Sequence, residues 1–385
     1  VTHTHDGRRN RDTDTHVLAG LPHYPSRRLD PAYRKGWRAT EQRAGVTVRR
    51  RRHSVPARQN ALRGALFEGS ILAHGLAAPP RTGRVDAVLA QIFSLAGGVT
   101  GARIAARHHA PYVPVVQDLM GAAAAQSGIQ GGGRAAELAE CADSWVLRRA
   151  TLVGVIHETL AERVRAMGVY PGRIRLVPNW SRIRATSAPR DRTRERLGRR
   201  PGQTVVLHSG NMGLKQGLEV LVDAARRDPA TRIVLMGDGN QHDHLAALAE
   251  GLPNLEFLLS VDGADFPDVM AAADVLAVTR RASVLDMSVP SRRTSYFAAG
   301  RPVVASVAAE GGTAREVLRS GAGMLVEPEN ADQFLSAVRR LAEGPKMADE
   351  LGATGPRHGA AHLSREAGLA RIDALIDEAI GGLGR

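Results

Sequence analysis

Short apolar runs alternate with amphipathic stretches from His16 onward, and this alternation is the strongest pattern in the chain. HVLAGLP, VTVRRRRH, VDAVLAQI, YVPVVQDL, LVGVIHE and IRLVPNW each have the length and apolar content of a buried strand. Between them, SLAGGVTGARIAARHH, residues 135–150 and ETLAERVRAMG carry helical spacing. A polar stretch broken by proline and glycine interrupts the rhythm. It restarts with TVVLHSG, TRIVLMGDG, LEFLLSV, DVLAVT, PVVASV and GMLVEP, again separated by helical stretches that include 216–226, 330–343 and 360–380. Such alternation predicts an α/β protein with two doubly wound halves, each a parallel sheet covered by helices on both faces. The expected boundaries are a disordered tail over 1–15, an amino-terminal domain over 16–183, a linker over 184–203, a carboxyl-terminal domain over 204–345 and a helical tail over 346–385.

Composition narrows the setting. A chain of 385 residues is long enough to build two cores. It has one cysteine, Cys141, so neither a disulfide framework nor a cysteine metal site forms within it, and a reducing cytoplasm is the expected location. No apolar run approaches the ~20 residues of a spanning helix. The net charge of +13 is uneven: between Arg27 and Arg63, twelve Arg or Lys face two acids, Asp30 and Glu41. Such a block suits an anionic membrane surface or lipid phosphate, although a general arginine bias accounts for it equally well. Its aromatic interleaving is limited to Tyr33 and Trp37, which disfavours nucleic acid.

Ligands of doubly wound sheets sit beyond the carboxyl ends of the strands, and three marked turns fall there. GNMGLKQG (Gly210–Gly217) combines glycines, which admit a phosphate close to the backbone, with a helix start and Lys215. An ordinary turn with a surface lysine reads the same, and the GxxxxGK[ST] spacing of a Walker loop is absent. In MGDGN, Gly237 and Gly239 permit positive φ, while Asp238 fits either a helix cap or an acceptor for a ligand hydroxyl. DMSVPSRRTSYFAAGRPVVAS (Asp286–Ser306) places Pro290 in a first helical turn with Ser288 or Ser291 as cap, turning N–H groups toward an anion beside Arg292 and Arg293. Tyr296 and Phe297 are expected in the core.

In this order and spacing, GNMGLKQGLEVL, LMGDGN, AAADVLAV, VPSRRTSYFAAGRPVVAS and GGTAREVLRSGAGMLVEPEN resemble the carboxyl-terminal domain of family 4 glycosyltransferases of the GT-B fold, of the colanic-acid and exopolysaccharide type. HVLAGLPHYP, VVQDLMG, GVIHETLAERV and RLVPNW resemble the amino-terminal domain of the same group, so the likeness runs from about His16 to Asn330. The resemblance implies two Rossmann-like domains facing a central cleft. It further implies transfer of a sugar, with retention and without metal or cofactor, from a UDP- or GDP-sugar to an acceptor hydroxyl. It assigns the diphosphate to Lys215, with Ser209, Gly210, Asn211, Gly237, Asp238 and Gly239 lining the donor site. Asp286, Ser288, Ser291 and Ser295 would meet phosphate or donor sugar, and His23 and Asn179 fall on the acceptor side.

Three positions depart from the common family pattern. Asn211 stands where many members carry arginine, Ser295 where many carry glutamate, and Gln117-Asp118 where many carry histidine. Arg292 is therefore the expected second cation and Asp118 the expected sugar contact, which makes Lys215, Arg292 and Asp118 the expected catalytic set. Members also begin with a strand, a glycine-rich loop and a helix ahead of the strand matching HVLAGLP. Here the polar tail stands in their place, so unpaired strand edges are expected.

The expected function is glycosyl transfer in exopolysaccharide or cell-envelope glycan synthesis, at the inner face of the cytoplasmic membrane, onto a lipid-linked or glycan acceptor. A non-catalytic nucleotide-sugar binder and a GT-B sugar-nucleotide epimerase are the competing readings. A dinucleotide dehydrogenase is disfavoured, because no GxGxxG follows a strand with an acid about 20 residues further on.

Overall fold

The computed structural model describes residues 14–23, 28–33, 36–56, 61–77, 79, 82–119, 132–180, 186, 188–261, 265–283 and 292–382. The expected disordered tail lies almost wholly outside them. The chain divides into two compact units, Val1–Pro178 with Leu369–Arg385, and Asn179–Gly368.

In the first unit, β1 (His16–Gly20), β2 (Arg38–Arg43) and β3 (Val46–Arg51) form one sheet in the order β1-β3-β2. A second sheet holds β4 (Val88–Ile92), β5 (Tyr112–Val116), β6 (Val153–Val155) and β7 (Ile174–Leu176) in that order, parallel throughout. Strand β2 corrects the all-parallel expectation, since it runs antiparallel to β3. The cause is local: Ala44 and Gly45 both take positive φ, 49° and 79°, the backbone of a two-residue hairpin turn. Helix α1 (Ala61–Ala77) was also missed, because glycines 64, 69 and 75 interrupt its pattern. Helices α2 (Leu95–His108), α3 (Gly132–Arg148) and α4 (Glu158–Ala166) follow β4, β5 and β6. All five residues of β5 are buried, which explains why YVPVV shows no polar alternation. Among the described residues β1 pairs only with β3 and β4 only with β5, so each has an open edge.

The second unit carries six parallel strands: β8 (Val205–Ser209), β9 (Arg232–Met236), β10 (Leu255–Leu258), β11 (Val275–Thr279), β12 (Val303–Ser306) and β13 (Gly323–Val326). Their order is β10-β9-β8-β11-β12-β13, so the direction of winding reverses between β8 and β11. That reversal is the switch point at which doubly wound sheets open a crevice. Helix α5 (Arg190–Arg196) precedes the sheet, and α6 (Glu219–Arg227), α7 (His242–Leu248), α8 (Phe266–Ala272), α9 (Arg292–Ala298), α10 (Gly312–Ser320) and α11 (Ala331–Glu343) cover it. Alternate residues of each strand feed two cores. Val206, Ile233, Leu235 and Val304 pack with Leu221, Phe334 and Val338 on one face. Val205, Leu207, Val234 and Ala305 pack with Met270, Tyr296, Phe297 and Val317 on the other.

Part of the expected linker is bound to this unit. Arg194 donates to Asp274 at 3.0 Å, and the same carboxylate accepts the Val205 N–H at 2.8 Å and pairs with Arg190. Arg199 and Arg232 share Glu256. Burial by itself would raise that carboxyl, but hydrogen bonds and charges from the two guanidiniums outweigh it and hold Glu256 below its ordinary value. Two helices, α12 (Pro345–His362) and α13 (Arg365–Gly381), replace the single amphipathic stretch expected over 360–380.

Candidate active site at the switch point of the second unit

The two glycine turns interlock. Gly210, directly after β8, donates its N–H to Met236 O at 2.6 Å, Met212 N–H donates to Asp238 O at 2.8 Å, and Gln241 N–H returns to Met212 O at 2.9 Å. Their contact leaves no room for side chains. Gly237 has φ +137°, and a Cβ built there lies 1.9 Å from Gly210 O; a Cβ on Gly239 lies 2.4 Å from Met212 O. Ser209, Gly210, Asn211, Gly237, Asp238 and Gly239 therefore form one continuous backbone wall, with the side chains of Asn211 and Asp238 exposed on it. The Asp238 carboxylate accepts the adjacent Gly239 N–H at 2.7 Å, and Gln241 occupies the cap position of α7, so the capping alternative for Asp238 is set aside.

Lys215 sits in a single 3-10 turn, Leu214–Gln216, and α6 begins only at Glu219, three residues later than the expected start at 216. Gly217, at φ +58°, makes the break between them. The turn is clamped from β11, across the switch point. Thr279 Oγ1 donates to Gln216 O at 2.7 Å, Arg281 N–H donates to Lys215 O at 3.2 Å, and Arg281 Nε donates to Leu214 O at 2.7 Å. The Arg281 guanidinium also pairs with Glu219 and, at 3.6 Å, with Glu329, whose carboxylate accepts the Ala282 N–H at 3.0 Å. Thr279, Arg281 and Glu329 escaped the sequence reading. The one available signal was position, because Arg281 follows the strand paired with β8.

Tyr296 is core, 2% exposed, as expected, but its hydroxyl has a second task. It accepts the Ser209 N–H at 2.7 Å and lies 3.3 Å from Ala277 O, joining α9 to the start of the glycine turn. Tyr296→Phe leaves a buried N–H without that partner and is expected to cost about 1–3 kcal/mol. Chemical denaturation measures this, and an unchanged unfolding midpoint would show that the hydroxyl carries no load. Ser295, beside it on α9, is half-buried. Asp286, Ser288 and Ser291 lie outside the described residues, as does the side chain of Arg292, the first residue of α9.

In the first unit, Asp118 lies just past β5. Its N–H and that of Gln117 both approach Ile92 O, at 3.3 and 3.1 Å, and its Oδ1 accepts the Leu119 N–H at 2.9 Å. His23 follows β1, and Asn179 is the first residue of the second unit. The structure thus gathers the residues expected to line a donor site, from Ser209 to Gly239 with Lys215, in one unit, and places Asp118 and His23 at strand ends of the other. Among the described residues, no three of His, Cys, Asp and Glu assemble into a metal-holding group, and no helix is long and apolar enough to cross a membrane.

Two Rossmann-like α/β units, the second with interlocked glycine turns beside its switch point, define a GT-B architecture. The profile of the "Glycosyl transferase 4-like domain" matches residues 2–180 and that of "Glycosyl transferases group 1" matches residues 203–344, so the chain belongs to this glycosyltransferase family. It is similar to the Escherichia coli (strain K12) protein WcaI, named as a glycosyl transferase of colanic acid biosynthesis: 28% identity over 353 residues, covering 86% of this chain and 85% of WcaI. It also resembles a D-inositol 3-phosphate glycosyltransferase of Rhodococcus opacus (strain B4), at 31% identity across 54% of this chain and 48% of that one. Among solved structures, sucrose-phosphate synthase of Thermosynechococcus elongatus superposes with a TM-score of 0.74 at 17% identity, over 98% of this chain and 92% of that chain. Anabaena Alr3699/HepE, in complex with UDP, does so with a TM-score of 0.69 at 16% identity, over 94% and 100%. These structural likenesses support the fold.

Proposed function

We propose that the chain is a retaining glycosyltransferase that moves a sugar, without a metal ion, from a UDP- or GDP-sugar to a hydroxyl of a lipid-linked or glycan acceptor in exopolysaccharide or cell-envelope glycan synthesis. The observation that carries this reading is the backbone wall of Gly210–Met212 and Gly237–Gly239 beside the clamped Lys215 turn. Negative charge builds on the diphosphate as it leaves, and a preset cation with oriented N–H groups stabilises that charge without reorganising. Lys215 supplies the cation in this scheme, with Arg292 as the second and Asp118 as the sugar contact. The names of similar proteins agree with the reading: WcaI is assigned to colanic acid synthesis, and HepE has been solved with UDP and with UDP-glucose.

The test pairs turnover with binding. A screen of UDP-, GDP- and related sugars should find one donor consumed in an acceptor-dependent way, and Lys215→Ala should lower kcat by about 100-fold or more. Because Lys215 is exposed, the variant should melt like the parent. The non-catalytic alternative makes the opposite forecast, namely thermal stabilisation by a nucleoside diphosphate with no transfer.

The basic block suits residence at the inner face of the cytoplasmic membrane. Trp37 is 72% exposed and carries Arg52 over its ring at 5.6 Å, a pairing suited to a headgroup layer. Binding to liposomes is expected to rise with anionic lipid content and fall with salt. Sedimentation that is indifferent to both would remove the membrane reading.

A further inference from the structure

Helix α3 (Gly132–Arg148) has one face in the core of its unit and an opposite face that holds apolar side chains in water. Asp143, Val146 and Leu147 are each 2% exposed or less. Val146 packs so closely on α2 that a Cβ on Gly98 would stand 2.9 Å from its Cγ1. On the far side Leu138 is 71% exposed and Trp145 41%, with exposed Cys141 between them and exposed Arg148 a turn further on. The positions 138, 141, 145 and 148 are spaced three, four and three residues apart, which is the seam of a paired helix rather than the pattern of a solvated face.

The exposed ring is held in place. The Arg149 guanidinium lies 3.8 Å from the centroid of Trp145 and donates to Trp145 O at 3.4 Å, so the indole loses little freedom when a partner covers it. Charge is sorted along the helix, with Glu137 and Glu140 in its first half and Arg148 and Arg149 at its end. This order suits the helix dipole, and it also makes the face complementary to itself when a second copy runs antiparallel. A parallel copy would set like charges together, and an anionic membrane would meet the two acids. Glu140 already faces Arg163 of α4 at 3.9 Å, so Glu137 is the acid assigned to a partner.

We propose that this face of α3 is a dimer contact, on which a second copy of the chain packs the same helix antiparallel across a two-fold axis. With the axis at the height of Asp143, Cys141 meets Trp145 of the second copy, Leu138 meets the stem of its Arg148, and the Glu137 carboxylate lies beside that guanidinium. The inference is independent of the glycosyl-transfer reading, because none of these residues belongs to the candidate site. One helix face covers less than the ~800 Å² per partner of a standard interface, so the dimer is expected to be weak and reversible, with a Kd on the order of 10 μM. Cys141 is the sole cysteine of the chain and reports on this face alone. In the antiparallel register its two copies are offset by one turn, about 6 Å along the helices, with the helix axes ~8–10 Å apart. That separation exceeds the reach of a disulfide but suits a short bis-maleimide.

Two readouts on the full chain test the contact. Sedimentation velocity across a concentration series should show a reversible monomer–dimer equilibrium, and bismaleimidoethane should trap the dimer through Cys141. Leu138→Asp, at an exposed position, should melt like the parent, sediment as a monomer and give no covalent dimer. Glu137→Arg and Arg148→Glu should each weaken the dimer about tenfold or more, since each turns two symmetric attractions into repulsions. The double variant Glu137→Arg/Arg148→Glu should return to near the parental Kd, a rescue that only an antiparallel pairing of this helix with itself produces. A parent that stays monomeric up to about 100 μM, a dimer that the cross-linker does not trap, or a double variant no better than the single ones would overturn the proposal. So would a Leu138→Asp protein that dimerises normally but no longer sediments with anionic liposomes, which would assign the face to a membrane instead.

Discussion

Gly237→Ala is expected to unfold or disorder the interlocked glycine turns of the second unit. The new Cβ would stand 1.9 Å from Gly210 O and 2.7 Å from its carbonyl carbon, and both are backbone atoms held in the interlocked turn. The residue also sits at φ +137°, where an L side chain is strained whatever the space. Steric overlap and strain together should cost about 3 kcal/mol or more. Gly251→Ala provides the control, since Gly251 also has positive φ, +78°, but faces open space, and only the smaller conformational cost of about 1–2 kcal/mol applies. Thermal unfolding and calorimetric titration with UDP and GDP distinguish them. A Gly237→Ala protein with parental stability and nucleotide affinity would mean that the two turns are not packed as described.

Arg281→Ala is expected to lose activity far out of proportion to stability. The guanidinium reaches Leu214 O, Glu219 and Glu329 together, and so holds the Lys215 turn against both β11 and the segment before α11. Its ion pairs are about 29% exposed, so their loss should cost only about 1 kcal/mol of stability. The turn, however, loses the guanidinium that ties Leu214 O to Glu219 and Glu329. A displacement of Lys215 of order 1 Å is enough to lower kcat/KM for the donor by about 100-fold. Arg281→Lys should recover little, because an ammonium cannot span three acceptors as a planar fork does. Donor kinetics equal to the parent's would show that Lys215 holds its place without the clamp.

The wall of the candidate site was legible because its constraints are local. A glycine at 237 or 239 marks close backbone approach in any context, and a glycine-flanked lysine after an apolar strand marks a turn with a charge. Tyr296 was read as core and is core, but its bond to Ser209 spans 87 residues of sequence. No window of sequence contains both partners. Strand β2 was missed because its polar residues, RATEQR, lack the apolar face that announces a strand, and the Ala44–Gly45 turn folds it back onto β3.

By itself the sequence determined the class of fold, the two-unit plan and the location of the glycine turns, because apolar periodicity and glycine placement act over a few residues. Tertiary structure alone decided which strands are neighbours, and hence that the β8 turn meets the β9 turn on one side and Arg281 from β11 on the other. Strand order is set by burial of both sheet faces among residues far apart in the chain. The clamp on Lys215 therefore follows from packing, and no local pattern encodes it.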